Sequence, residues 1–290
     1  MNTAKQFLIL NSSFLIGKRN TTFANLMERD ANFVRAKKHL GQHFLKDKNI
    51  AHKIAETISQ WQGNLLEIGP GTGVLTQFLL NRSGSFIAID LDHESIDYLK
   101  TNTILNENQL LFGDFLKLDL TTIFQKQQFA VIGNFPYNIS SQIVFKALKY
   151  REFIPVFAGM FQKEVAERIA MKPGSKTYGI LSVLCQAFFD VEYLFSVPPS
   201  VFSPPPKVNS GVIRMTRKEH FSLNCNEQLF FRIVKESFNT RRKMLRTSLK
   251  PYLNEQIATY SIFEKRPEQL GYKEFVEIVN LIESAEVQKL

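Results

Sequence analysis

The 290-residue chain is poor in cysteine. Cys185 and Cys225 are the only two, neither in a CxxC pair nor beside histidines at ligand spacing. That excludes a disulfide framework, gives no zinc or other metal site, and fits a reducing, cytoplasmic compartment. Long apolar runs are also missing. The longest, "GILSVLCQAFF" (179–189), falls short of the roughly 20 residues that span a bilayer and reads as a buried helix. Acid is scarce at the start: residues 1–27 contain none, while Lys5, Lys18 and Arg19 are basic. An acid-poor leader with hydroxyl residues has the look of a targeting peptide, but its apolar stretch is broken at Asn11–Ser13. A tail, or a start placed too early with Met27 as initiator, is the preferred reading of residues 1–33.

What is present is ordinary for a globular chain: 44% hydrophobic and 22% charged residues. The net charge of +9 favours a polyanionic partner, nucleic acid first, without establishing one. From Leu65 onward short apolar runs alternate with helical stretches: "LLEI" (65–68), a helix over 73–82, "SFIAID" (85–90), a helix over 93–102, then "QLLFGD" (109–114), "FAVIGN" (129–134) and "PVFAGMF" (155–161). Helices follow over 162–171 and 178–189. This rhythm predicts an α/β fold, a Rossmann-like, mostly parallel doubly wound sheet. "DVEYLFSVP" (190–198) and "VNSGVIRM" (208–215) add a hairpin-like pair at the sheet's edge. Beyond about Thr216 the period is helical throughout. The expected division is an extension over 1–33, a Rossmann-like domain over 34–216 and an all-helical domain over 217–290.

"EIGPGTGVL" (67–75) sets Gly69, Gly71 and Gly73 between a strand and a helix, where backbone can approach a ligand closely. Position 74 is Val, so the dinucleotide fingerprint is broken, and no Gly-Lys-Ser/Thr ending marks a Walker loop. The G-x-G-x-G form is one associated with S-adenosylmethionine methyltransferases; a purely structural turn remains the alternative. Asp90 closes the second strand, where a carboxylate can accept both ribose hydroxyls, and Asp114 closes the third, placed for an adenine amine. Asn134 ends the fourth strand in "GNFPYNIS" (133–140). Asn and Pro are common turn residues, so a plain strand end is the bland reading. The sharper one is a clamp for a planar amine. The Asn134 side-chain oxygen and the Phe135 carbonyl accept from it, Pro136 fixes the turn, and Tyr137 stacks on a flipped base.

Four stretches in order, "KKHLGQHFLKDKNI" (37–50), "EIGPGTGVLT" (67–76), "GNFPYNIS" and "VFSPPPKVNSGVIRM" (201–215), resemble the ribosomal RNA adenine N6,N6-dimethyltransferases, from about Arg35 to the C-terminus. The resemblance implies S-adenosylmethionine as cofactor and dimethylation of two adjacent adenosines in a hairpin loop near the 3′ end of 16S rRNA. It also implies a role in small-subunit biogenesis. By position it implies cofactor contacts at His43, Leu45, Gly69, Asp90, Asp114 and Asn134. The chain departs from the family pattern at His43, where Asn is frequent, and at Asp90, where Glu is common. Lys37 and Lys38, with Arg241, Arg242, Lys243 and Arg246 of "TRRKMLRTSLK" (240–250), are candidate RNA contacts; a solvated helix face is the rival. Phe202, with the prolines at 204–206, is expected to shape the target-base pocket, or else to stiffen an edge loop. A monomer that binds the small subunit or its precursor, with no membrane, is the expected assembly. The "FSPPPKVNS" ending and long helical tail favour the small-subunit branch over the macrolide-resistance relatives that modify 23S rRNA. A mainly non-catalytic assembly factor is the second class, against which the complete Asn134–Tyr137 set argues.

Overall fold

The computed structural model describes residues 34–80, 84–103 and 105–287. The extension expected over 1–33 lies outside the described residues. In chain order the regular elements begin with helix α1 (Lys48–Glu56), strands β1 (Asn64–Ile68) and β2 (Phe86–Asp90), and helix α2 (His93–Asn102). Next come β3 (Leu110–Phe112), the short α3 (Leu120–Ile123), β4 (Phe129–Asn134), α4 (Ser140–Lys149), β5 (Val156–Gln162) and α5 (Lys163–Ala170). Helix α6 (Ile180–Phe188), strands β6 (Phe189–Val197) and β7 (Ser210–Arg217), and helices α7 (Glu227–Asn239), α8 (Leu245–Ser248) and α9 (Tyr272–Val287) complete it.

The seven strands form one sheet in the order β3-β2-β1-β4-β5-β7-β6. β1 to β5 are mutually parallel, and β7 runs antiparallel to both β5 and β6. A parallel strand covered on both faces must be apolar on both, and β4 is: Phe129 to Gly133 are all buried. Alternate residues feed two cores, Ala130 and Ile132 facing α1 and α2, Phe129 and Val131 facing α4 and α6. The expected edge pair forms, but β7 is inserted between β5 and β6, leaving β6 alone at the edge.

Two local expectations give way. The helix expected over 73–82 is a run of turns with one 3₁₀ turn at Thr76–Phe78; residues 81 and 82 lie outside the described residues. Gly73, with φ of 78°, is left-handed and so stands outside any right-handed helix, and Leu75 and Leu79 turn inward to the core. Strand β3 ends at Phe112, so Asp114 stands in the loop beyond it.

The C-terminal helices share a core with the sheet. Phe230, Ile233 and Val234 of α7 and Phe275, Ile278 and Ile282 of α9 join Leu184 and Phe188 of α6 in one buried cluster. The Phe188 ring stacks on Phe231 at 5.9 Å and meets Phe230 edge-on at 6.5 Å.

Candidate active site

From β1 the chain builds outward to β2 and β3 on one side and to β4 and β5 on the other. The carboxyl ends of β1 and β4 therefore splay apart at a topological switch point, where open α/β sheets bind ligands. A cleft lies there. Gly69 and Gly71 after β1, Asp90 at the end of β2, Asp114 after β3 and Asn134 to Ile139 after β4 all line it, and Leu40 to Phe44 roof it.

The glycine loop is shaped by backbone geometry. Gly71 has φ of 55°, and a Cβ there would stand 2.8 Å from the Phe44 ring, so the close approach of roof and loop requires glycine. The Gly71 N–H donates to the Asp90 carboxylate at 3.3 Å, and the Asp92 N–H donates to its other oxygen at 2.9 Å. Burial pushes the Asp90 carboxyl up to about 6, against these two hydrogen bonds, which favour the ion. Glu67 of β1 is fully buried with an Oε2 that has no partner among the described residues, and burial pushes it up to about 8. Asp114 accepts from the Leu116 N–H at 2.9 Å and stands 3.6 Å from Lys117.

At and after the end of β4, Asn134, Phe135 and Tyr137 are each held separately. The Asn134 amide nitrogen donates to the His43 main-chain carbonyl at 2.9 Å. The Phe135 ring is sunk in the core, stacked on Phe157 at 5.1 Å and tilted against Phe161 at 4.9 Å, which immobilises its carbonyl. The Tyr137 hydroxyl lies 2.5 Å from Ser210 Oγ at the start of β7, and its ring is 5.3 Å from that of His43. Burial raises the Tyr137 phenol above its ordinary value.

The roof is anchored too. Gln42 Nε2 donates to Asp92 at 3.0 Å, and Lys37 bridges Asp92 and Glu94 at the start of α2. Burial acts to raise the Asp92 carboxyl, but the hydrogen bonds from Lys37 and Gln42 outweigh it and hold the group below the usual range. His43 Nδ1 meets the Pro204 carbonyl at 2.8 Å, so Nδ1 carries the proton.

Of the residues expected from sequence, the fold thus brings His43, Gly69, Gly71, Asp90, Asp114 and Asn134 to Tyr137 into one cleft. Leu45 and Gly73 fall outside it. Leu45 is buried in the core beneath the roof, and Gly73 backs onto Leu99 of α2. Phe202 does not line this cleft: it pairs with Leu45 in a two-residue strand and is buried in the core cluster that includes α1. Lys37 is no free cation, because its ammonium is spent on Asp92 and Glu94. Lys38, Arg242, Lys243 and Arg246 are exposed, whereas Arg241 donates to the Lys176 carbonyl at 2.8 Å. Sequence reasoning missed Gln42, Asp92, Ser210 and Asn138. Gln42, Asn138 and Ser210 lie inside the quoted stretches "GQHFL", "GNFPYNIS" and "VFSPPPKVNSGVIRM", but their partners are set by the tertiary fold; Asp92 lies in none of them.

The site fits S-adenosylmethionine. A glycine loop without side chains leaves space over β1, Asp90 keeps lone pairs for hydroxyl donors, and Asp114 lies across the cleft as an acceptor for an amine. Sheet order, glycine loop and strand-end acids together define a Rossmann-like S-adenosylmethionine-dependent methyltransferase.

Residues 33–286 match the family model for ribosomal RNA adenine dimethylase, and the chain belongs to that family. It is 56% identical over 257 residues to the ribosomal RNA small subunit methyltransferase A of Flavobacterium johnsoniae, covering 88% of this chain and 98% of that protein. The protein of the same name from Cytophaga hutchinsonii is 54% identical over 253 residues, covering 86% and 98%. Among solved structures, a dimethyladenosine transferase from Plasmodium falciparum superposes with a TM-score of 0.71 at 27% identity, over 83% of this chain and 98% of that one. The 23S rRNA methyltransferase ErmE shares the fold, with a TM-score of 0.58 at 23% identity over 82% of this chain and 99% of its own.

Proposed function

We propose that this enzyme dimethylates N6 of two adjacent adenosines in a hairpin loop near the 3′ end of 16S rRNA, acting on the small subunit or its precursor. One observation carries the reading: Asn134, Phe135 and Tyr137 converge on the same cleft as the glycine loop and both acids. The full-length similarity to small-subunit enzymes supports 16S rather than 23S rRNA as the target.

S-adenosylmethionine supplies a sulfonium-activated methyl group. Gly69 and Gly71 leave room for its backbone-facing portion, Asp90 accepts from the ribose hydroxyls and Asp114 from the adenine amine. An adenine N6 is a poor nucleophile, because its lone pair is delocalised into the ring. Two acceptors, Asn134 Oδ1 and the Phe135 carbonyl, hold its hydrogens and favour a pyramidal nitrogen with its lone pair toward the methyl. Tyr137 covers the flipped base. No strong base is needed; positioning and electrostatics carry the rate. Exposed Lys38, Arg242, Lys243 and Arg246 supply phosphate contacts.

Tritiated-methyl transfer to undermethylated small subunits, free 16S rRNA and large subunits tests this. Label in small-subunit rRNA is expected, and transfer to 23S rRNA alone would refute it. Asn134→Ala is expected to keep particle binding while losing about 100-fold or more in transfer rate, as removal of one preorganised electrostatic group does.

A further inference from the structure

Asn134 is a carboxamide with two unlike ends, and only one of them can hold an amine. A side-chain NH₂ turned toward N6 would set donor against donor. What decides between the two orientations is the partner on the far side, and here that partner is a main-chain carbonyl, which can only accept. The His43 carbonyl, 2.9 Å away, therefore commits Nδ2 to the roof. Oδ1, with no hydrogen-bond partner among the described residues, is left to the cleft. The roof that offers this carbonyl is tied down on both sides of the site. Asn138 Nδ2 donates to the His39 carbonyl at 3.2 Å on the β4 side. Gln42 and Lys37 bind Asp92 on the β2 side, two residues beyond the acid placed at the ribose. A Cβ on Gly41 would stand 2.6 Å from Asn138 Oδ1, so roof and catalytic loop are in direct contact.

We infer that residues 37–44 are a positioning element for catalysis, in which the His43 main-chain carbonyl orients the Asn134 carboxamide with Oδ1 toward the target amine. The inference rests on Asn134 being the amine clamp. It makes the cofactor's roof and the base clamp one hydrogen-bonded unit running from the end of β2 to the end of β4. Asp in place of Asn134 keeps the acceptor but faces the His43 carbonyl with a second acceptor. Protonation of that carboxyl restores a donor toward His43 while leaving its carbonyl oxygen for the amine.

The experiment compares wild type, Asn134→Ala and Asn134→Asp in single-turnover methylation of small subunits across pH, with cofactor binding by calorimetry to establish folding. At about pH 8 the Asp variant is expected to be as inactive as the Ala variant, within about threefold. Its rate relative to wild type should rise about tenfold or more on going to about pH 5.5. Taking the ratio to wild type removes the titration of the groups facing Asn134: His43 in the roof, Tyr137 in its own loop, Asp90 after β2 and Asp114 after β3. An Asp variant with more than about a tenth of wild-type activity at about pH 8, beside a dead Ala variant, would overturn the orienting role. An active Ala variant would instead remove the clamp reading on which it rests. Asn138→Ala tests the roof independently of Asn134 and decides the case should those variants not fold. Its kcat should fall about fivefold with the cofactor Kd changed less than about twofold; weaker cofactor binding with unchanged kcat would overturn it.

Discussion

Asp90 illustrates how one half-buried carboxylate can set the working range of a binding site. With its pKa raised to about 6, it is ionised at neutral pH but not far above its midpoint. In the proposed role, ribose hydroxyls bind the ionised form, so acid should weaken the site. Cofactor affinity is expected to fall about fourfold between about pH 7.5 and 5.5, measured by calorimetry, and Asp90→Asn should flatten that dependence while weakening binding throughout. Glu67 has a larger consequence for stability. Its folded value, about 8, lies above its unfolded one, so its stability contribution is complete in acid and is lost as pH rises toward 8. Glu67→Gln removes that loss. Relative to wild type, the variant should gain on the order of 3 kcal/mol between about pH 5 and 8, read from urea unfolding without cofactor. The sequence placed Asp90 at a strand end but did not single out Glu67, and neither shift is visible there, because burial is a property of the packed chain.

At the scale of elements, the clamp depends on what lies behind it. Phe135 offers its backbone to the cleft and its ring to the core, where Gly133 of β4 and Gly159 of β5 leave it room. A Cβ on Gly159 would come within 2.5 Å of that ring and 2.3 Å of the Gly133 carbonyl. Tyr137 is steadied from a strand far along the chain, through Ser210. Ser210→Ala removes one hydroxyl partner, worth about 1 kcal/mol net. If Tyr137 covers the base as proposed, RNA methylation should show KM raised about fivefold with cofactor affinity unchanged, since the Ser210 hydroxyl is hydrogen-bonded to the Tyr137 hydroxyl. Most strands were legible from alternation of apolar runs and turns. The helix expected over 73–82 was realised only as turns with a 3₁₀ turn at Thr76–Phe78, and the left-handed conformation at Gly73 is invisible to a periodic pattern. Of the two readings of Phe202, pocket-shaping or stiffening an edge loop, its burial and its pairing with Leu45 favour the second.

The whole molecule joins sheet and helical tail through a common core. Phe230 of α7 is fully buried against Phe188 at the end of α6, within the cluster that also contains Phe157 and Phe161 of β5. Phe230→Ala is expected to cost about 3–5 kcal/mol by cavity formation. Urea unfolding followed by far-ultraviolet circular dichroism should show the whole transition moved to lower urea. A shift confined to a helical sub-transition would show that the shared core does not couple the two parts.

The sequence by itself determined the fold class and the chemistry. Glycines after one strand, acids at the end of a second and just past a third, and Asn134–Tyr137 after a fourth are local features, written in consecutive residues. Only the tertiary structure decided which groups are free to act. It engaged Lys37, buried Phe202, raised Asp90, and brought His43, Asn138 and Ser210 from distant stretches to the residues they hold. The physical reason is that burial and hydrogen-bond partnership arise between segments 50 to 161 residues apart, a separation over which no local pattern carries information.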